Sequence, residues 1–286
     1  MKTSTLLPSV SVAGGAAAFV LHLLQKRTGF EAATGLPVPG HFAGYALAAC
    51  FAALAAVLLL LTLRLPRDSG EGPGFPSGFK TANAALLVLP VVGLLLLVLS
   101  GLADLYESLT SQNLLFQLKT AAGSFAAPEE AAGFAGKTQL LLGLLTLLGA
   151  AALLPAALAC RDPESGEAQP FNGTLLLGLP VVLVVRLVLT YRMDSVDPSL
   201  AAYYVELLAL VFLTLVFYRL SSFAFSAGRT RRFALYASLA VVFSLSAMAD
   251  GGPHISSLLL YAGGAVTALG FLLLRIFGES SAFPHA

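Results

Sequence analysis

Polar residues punctuate long apolar runs in this chain. Eight such runs lie at about 8–25, 42–63, 83–103, 138–159, 172–191, 200–225, 232–250 and 256–276. A helix of about 20 apolar residues crosses the roughly 30 Å hydrocarbon layer of a bilayer. The pattern therefore predicts an all-α, polytopic transmembrane helix bundle of about eight helices, forming one integral membrane domain over residues 1–286. The connectors GLPVPGH (35–41), RLPRDSGEGPGFPSGFK (64–80) and CRDPESGEAQP (160–170) carry the Gly, Pro and charge expected where helices turn. The longest connector, 104–137, contains LTSQNLLFQLK, which reads as a short amphipathic helix in the interface or as a solvated loop.

Two of the runs rhyme. LPVVGLLLLVLSGLAD (89–104) and LPVVLVVRLVLTYRMD (179–194) agree at eight of sixteen positions, among them Pro90 with Pro180 and Asp104 with Asp194. The connectors before them share RDSGE (67–71) and RDPESGE (161–167). This suggests an internal repeat of helical hairpins, 42–104 and 138–194, with a weaker third copy at 200–250 that ends SAMAD. Helices 8–25 and 256–276 flank the three. Parallel repeats would put Asp104, Asp194 and Asp250 on one outer face, where the plainer reading is that each stops an apolar helix at water. Both prolines lie seven to nine residues inside their runs and are candidates for breaking those helices.

Arg186 stands where the first copy has Leu96. A charge in a spanning helix is costly and faces protein or water rather than lipid. Glu206 lies at matching depth if the following helix starts near residue 200, so Arg186 and Glu206 are expected to pair. The pair reads as a staple between helices or as the anchor of a site for an anionic solute, with Tyr191, Tyr203 and Tyr204 nearby. Small residues suggest close helix contacts: Gly44, Ala48, Ala52 and Ala56 at every fourth position, and AGGA at 13–16 and 262–265.

Composition agrees with the pattern. The chain is 57% hydrophobic and 11% charged, against about 25% charged in soluble domains. The net charge of +1 gives no field for nucleic acid. Trp is absent, so aromatic belts fall to residues such as Phe217, Tyr218, Phe223 and Phe225. With eight spans, Lys2, Arg64, Arg67, Lys80, Arg161, Arg219, Arg229, Arg231, Arg232 and Arg275 share the side of the termini. Lys26, Arg27, Lys119, Lys137 and Arg192 fall on the other. The bias predicts both termini in the cytoplasm of a bacterial cytoplasmic membrane, although Lys26 and Arg27 run against it. On that topology the NGT sequon (172–174) faces the cytoplasm. Besides the bilayer itself, anionic lipid at Arg229, Arg231 and Arg232 is an expected partner, and the small-residue ridges suit a homo- or hetero-oligomer.

Reactive constellations are missing from the sequence. His22, His41, His254 and His285 have no metal-ligand spacing, and Cys50 and Cys160 read as apolar filler. No metal, cofactor or catalytic residue is indicated, so an enzyme is the least supported class. In SVDPSL (195–200), Asp197 fits a helix cap and Pro198 the first helical position. Asp250 and His254 suggest a local hydrogen bond. The runs YRMDSVDPSLAAYYVELLAL (191–210) and FYRLSSFAFSAGRTRRF (217–233), with MADG (248–251), resemble uncharacterised multi-pass membrane proteins of bacteria. That resemblance covers about the last 100 residues and implies membrane location only. Small-solute binding or transport is the leading functional expectation; a sensor, scaffold or accessory subunit is the alternative.

Overall fold

The structure is a computed structural model. It describes residues 3–31, 36–65, 74–75, 77–81, 83–122, 129–161, 172–194, 203–250 and 255–278, with side chains except at 3–4, 111–137 and 193–194. The described residues form eight α-helices and no strand: α1 (Thr3–Thr28), α2 (Phe42–Leu63), α3 (Ala84–Ala122), α4 (Glu129–Ala159), α5 (Gly178–Asp194), α6 (Tyr204–Ser222), α7 (Thr230–Ala247) and α8 (Ile255–Phe277). All eight are long and apolar enough to cross a membrane, so the protein is a polytopic helix bundle. Successive helices alternate in direction. We call the end where α1 begins and α8 ends the near end, and the opposite end the far end.

Two expected boundaries differ. The described residues of the segment read as a connector from 104 are helical: α3 continues to Ala122, and α4 already starts at Glu129. The helix read from 200 begins at Tyr204 instead. Neither Pro90 nor Pro180 breaks a span. Pro90 lies within a continuous α3, and its ring packs where a Cβ on Gly270 would otherwise sit, 2.6 Å from Pro90 Cδ. Pro180 occupies the first turn of α5, where no intrahelical N–H bond is required. A 3-10 turn, Gly173–Leu177, leads into that helix, and Asn172 of the sequon caps it by accepting from Thr174 N at 3.1 Å.

The bundle is inverted in the manner of a protein dissolved in lipid. Val181, Val184, Val188 and Tyr191 of α5 are exposed at helical spacing, and so are Val88, Val91, Val92, Leu95, Leu99 and Leu102 of α3. The inward stripe of α3 runs Pro90, Gly93, Leu94, Leu97, Ser100, Gly101, Asp104, Ser108, again at three- and four-residue steps. Lipid tails are as apolar as leucine, so association depends on close packing rather than on water exclusion. Glycine supplies that closeness on both sides of α3. Against α8, a Cβ at Gly93 would fall 2.5 Å from Thr267 N, and one at Gly263 would fall 2.9 Å from Leu97 N. Against α4, a Cβ at Gly143 would fall 2.9 Å from Gly101 O. Each AGGA serves two neighbours: Gly14 meets Leu54 of α2 while Gly15 meets Leu245 of α7, and Gly263 meets α3 while Gly264 meets Leu213 of α6.

The ridge on α2 behaves differently. Ala48, Ala52 and Ala56 are exposed, and α2 instead buries Ala43, Leu47, Phe51, Leu58 and Thr62. Helix α2 rests on α1 and α7 and has no substantial contact with α3. The 42–104 unit is therefore not a packed hairpin, whereas α4 with α5 and α6 with α7 do pack side by side. The near end is closed by aromatic rings. Phe79 is fully buried and meets Phe223, Phe233 and Phe271 edge-on at 5.1, 5.7 and 6.0 Å. Phe217 and Phe223 thus belong to the core, and of the belt residues only Tyr218 and Phe225 face outward. Arg275 holds the closure from α8, donating to Thr230 Oγ1 at 2.8 Å and to Gly78 O at 3.0 Å. Beside it, burial pushes the Cys160 thiol up to about 12, consistent with inert filler.

If glycine contacts set the bundle, Gly263→Val should destabilise it by roughly 1–3 kcal/mol through overpacking. Ala48→Val should stay within about 0.5 kcal/mol. Thermal unfolding of both variants in one detergent checks the contrast; equal losses would mean that the α3–α8 contact is not the tight one.

Candidate functional site

Of the charged side chains buried in the described bundle, Arg275 closes the near end, while Arg186 and Asp104 lie toward the far end. Arg186 lies on the inward stripe of α5 with Leu179, Val182, Leu183 and Thr190, and is 5% exposed. Its Nη1 donates to Asp104 Oδ2 at 2.8 Å and to Thr146 Oγ1 at 3.1 Å, joining α5 to α3 and α4. Asp104 is 2% exposed. It does not end its helix at water, because α3 continues past it and turns it inward.

The ion-pair partner of Arg186 is therefore Asp104 rather than Glu206. Helix lengths explain the difference. Arg186 stands eight residues before the end of α5, about 12 Å of rise, whereas Glu206 stands two residues into α6, about 3 Å. Glu206 accepts a hydrogen bond from Tyr261 Oη of α8 at 2.7 Å.

A second group abuts the first. Asp250, in the 3-10 turn Met248–Asp250 after α7, lies 2.7 Å from Lys26 Nζ and 3.3 Å from His22 Nε2, both on α1. His22 Nδ1 is 3.0 Å from Ser246 O. A carbonyl only accepts, so Nδ1 carries a hydrogen. A favourable Nε2–Asp250 contact then needs one further proton, on the imidazole or on the carboxyl. Tyr204 at the start of α6 also feels the Asp250 charge. The far end thus holds three polar groups, Arg186–Asp104–Thr146, Tyr261–Glu206 and Asp250–Lys26–His22. Every helix except α2 contributes to this polar layer or to the turn that carries it.

Other expected site residues fall elsewhere. Tyr191 is 54% exposed and points away from the layer. The backbone of Asp194 ends α5, but its side chain is outside the described residues, as are Asp197, Pro198 and His254. His22, Thr146 and Tyr261 carry no local sequence signal, since each stands between two apolar neighbours in its helix. Lys26 does carry one: it stands on the side of the membrane that the charge bias disfavours, and Asp250 is its partner. Among the described residues no group of His, Cys, Asp and Glu is arranged to hold a metal ion. The arrangement pairs ionisable side chains of both signs in the far half of the bundle.

The Tyr261–Glu206 bond ties α8 to α6 within the layer. Tyr261→Phe should destabilise the protein by about 1.5–3 kcal/mol, the range for a hydrogen bond to a charged group. Tyr191→Phe should have no measurable effect. Denaturant titration of the two purified variants checks this, and an unaffected Tyr261→Phe would contradict the geometry.

No family model, curated protein or solved structure matches the chain. The functional reading therefore rests on the layer itself.

Proposed function

We propose that the protein binds or transports a small polar solute at the far-end layer. The observation that carries this reading is a concentration of ionisable side chains of both signs in the far half of an apolar bundle, with Arg186 and Asp104 buried. Ionisable residues inside membranes are expensive and mark ion or solute pathways, proton relays and ligand counter-ions. The balance of charge refines the solute class. Among the described residues Asp104 pairs with Arg186 and Asp250 with Lys26, so neither cation is left open for a free anion. A cationic or zwitterionic solute matches this balance better than the free anion that Arg186 alone suggests. On the topology that the charge bias favours, with both termini in the cytoplasm, the layer opens toward the outer face of a cytoplasmic membrane.

The accessory-subunit reading has its own support. Arg186 is neutralised by Asp104, and Lys26 by Asp250, as in a staple that fixes helices without a ligand.

Thermal shifts of the full chain in detergent, measured against amines, amino acids and simple carboxylates, separate the two readings. Solute binding predicts stabilisation by an amine or amino acid, reaching about 2.7 kcal/mol at one hundred times the dissociation constant, and its loss in Glu206→Gln. Stabilisation by carboxylates alone overturns the solute class. No shift with any compound favours the staple.

A further inference from the structure

Helices α2 and α6 both border α7 but make no substantial contact with each other. They are bridged where Phe243 of α7 meets Phe51 of α2 at 4.6 Å and stacks on Phe212 of α6 at 4.8 Å. Toward the near end the same faces continue. Arg219 is two helical turns beyond Phe212 on α6, and Tyr236 is two turns before Phe243 on α7. Arg232, exposed, is one turn before Tyr236. The seam between α2 and α6 is thus backed by the buried rings of Phe51 and Phe243 and the half-buried Phe212, and has arginines at its near end.

Arg219 is the unexplained group. Its guanidinium lies 5.6 Å from the ring centres of both Tyr218 and Tyr236. Its Nε is buried and has no hydrogen-bond partner. Among the described residues Arg219 forms no ion pair and no side-chain hydrogen bond. Yet a guanidinium carries five N–H donors in a planar fork suited to phosphate. Arg229 and Arg232, both exposed, lack acidic partners among the described residues as well, and the N-terminus of α7 between them has no side-chain cap. Arg231 differs from them: its Nε donates to Leu65 O at 2.6 Å and ties α7 to the end of α2.

We propose that this near end of the seam binds the phosphate headgroup of an anionic phospholipid. Arg219 and Arg232 hold the phosphate, Tyr218 and Tyr236 keep the Arg219 guanidinium in plane, and an acyl chain lies along the α2–α6 seam. A lipid is favoured over a free anion because the positive end adjoins an apolar seam, and because Tyr218 beside it is 51% exposed on the bundle surface. Arg219 stands six residues before the end of its span at Phe225, about 9 Å, within reach of the headgroup layer. The residues differ from a simple arginine cluster, since Arg231 is committed to the fold and Arg219, in the preceding helix, takes its place.

Native mass spectrometry of the purified full chain tests this, with phosphatidylglycerol or phosphatidylcholine added and inorganic phosphate as competitor. Wild type should retain phosphatidylglycerol adducts in preference to phosphatidylcholine, and millimolar phosphate should not displace them. Each of Arg219→Gln and Arg232→Gln should weaken retention about fivefold. Arg161→Gln, an exposed arginine at the same end, should leave it unchanged. If Arg219→Gln fails to fold, the exposed Arg232→Gln carries the test alone. The proposal is overturned by equal retention of both lipids, by full displacement with phosphate, or by a loss in Arg161→Gln as large as in Arg232→Gln.

Discussion

The ion pair between Arg186 and Asp104 sets the terms for the rest of the bundle. In hydrocarbon there is no water to solvate a charge, so each buried ion needs a partner within the protein. Arg186 reaches Asp104 at 2.8 Å and Thr146 at 3.1 Å, which fixes the rotation of α3, α4 and α5 about their axes. Once those rotations are fixed, the outward faces of α3 and α5 must be apolar. Their exposed valines and leucines show that they are. The inward stripe of α3 must then be narrow enough for α4 and α8 to approach, which is where Gly93 and Gly101 sit.

The two ends of the molecule solve different problems. At the far end, charges from several helices compensate one another in two ion-paired groups. At the near end, rings around Phe79 close the core, and arginines face outward or tie backbone. Arg275 and Arg231 spend donors on the carbonyls of Gly78 and Leu65, so they act as clamps on the connector and on α2. Arg219 has no such acceptor. The same residue type thus holds the fold at two positions and is left over at a third, and the leftover is where an outside ligand is sought.

Much of the fold is legible in the sequence because its solvent is so uniform. A run of 20 apolar residues has few ways to satisfy its backbone in lipid, so all eight spans can be read from hydropathy alone. Partners are harder to read. Glu206 looks level with Arg186 only if α6 starts near 200; its start at Tyr204 moves Glu206 about one turn toward the end, and the end of α5 at Asp194 sets Arg186 deeper. Asp104 looks like a stop signal because an aspartate after leucines often is one; nothing local reveals that α3 runs on. Small residues at four-residue spacing mark close packing at Gly263 and Gly14, yet the same spacing on α2 faces outward. Spacing defines a flat face without saying what covers it. His22, Thr146 and Tyr261 gain meaning only from the packing of distant helices.

A double-mutant cycle on Asp104 and Arg186 tests the central claim most directly. Asp104→Leu and Arg186→Leu each strand a buried ion, so each should cost about 3–5 kcal/mol in reversible unfolding in detergent. The double variant strands neither and should recover most of that loss, giving a large coupling energy. Additive losses would contradict the account, because they would mean that the two side chains do not meet within the bundle.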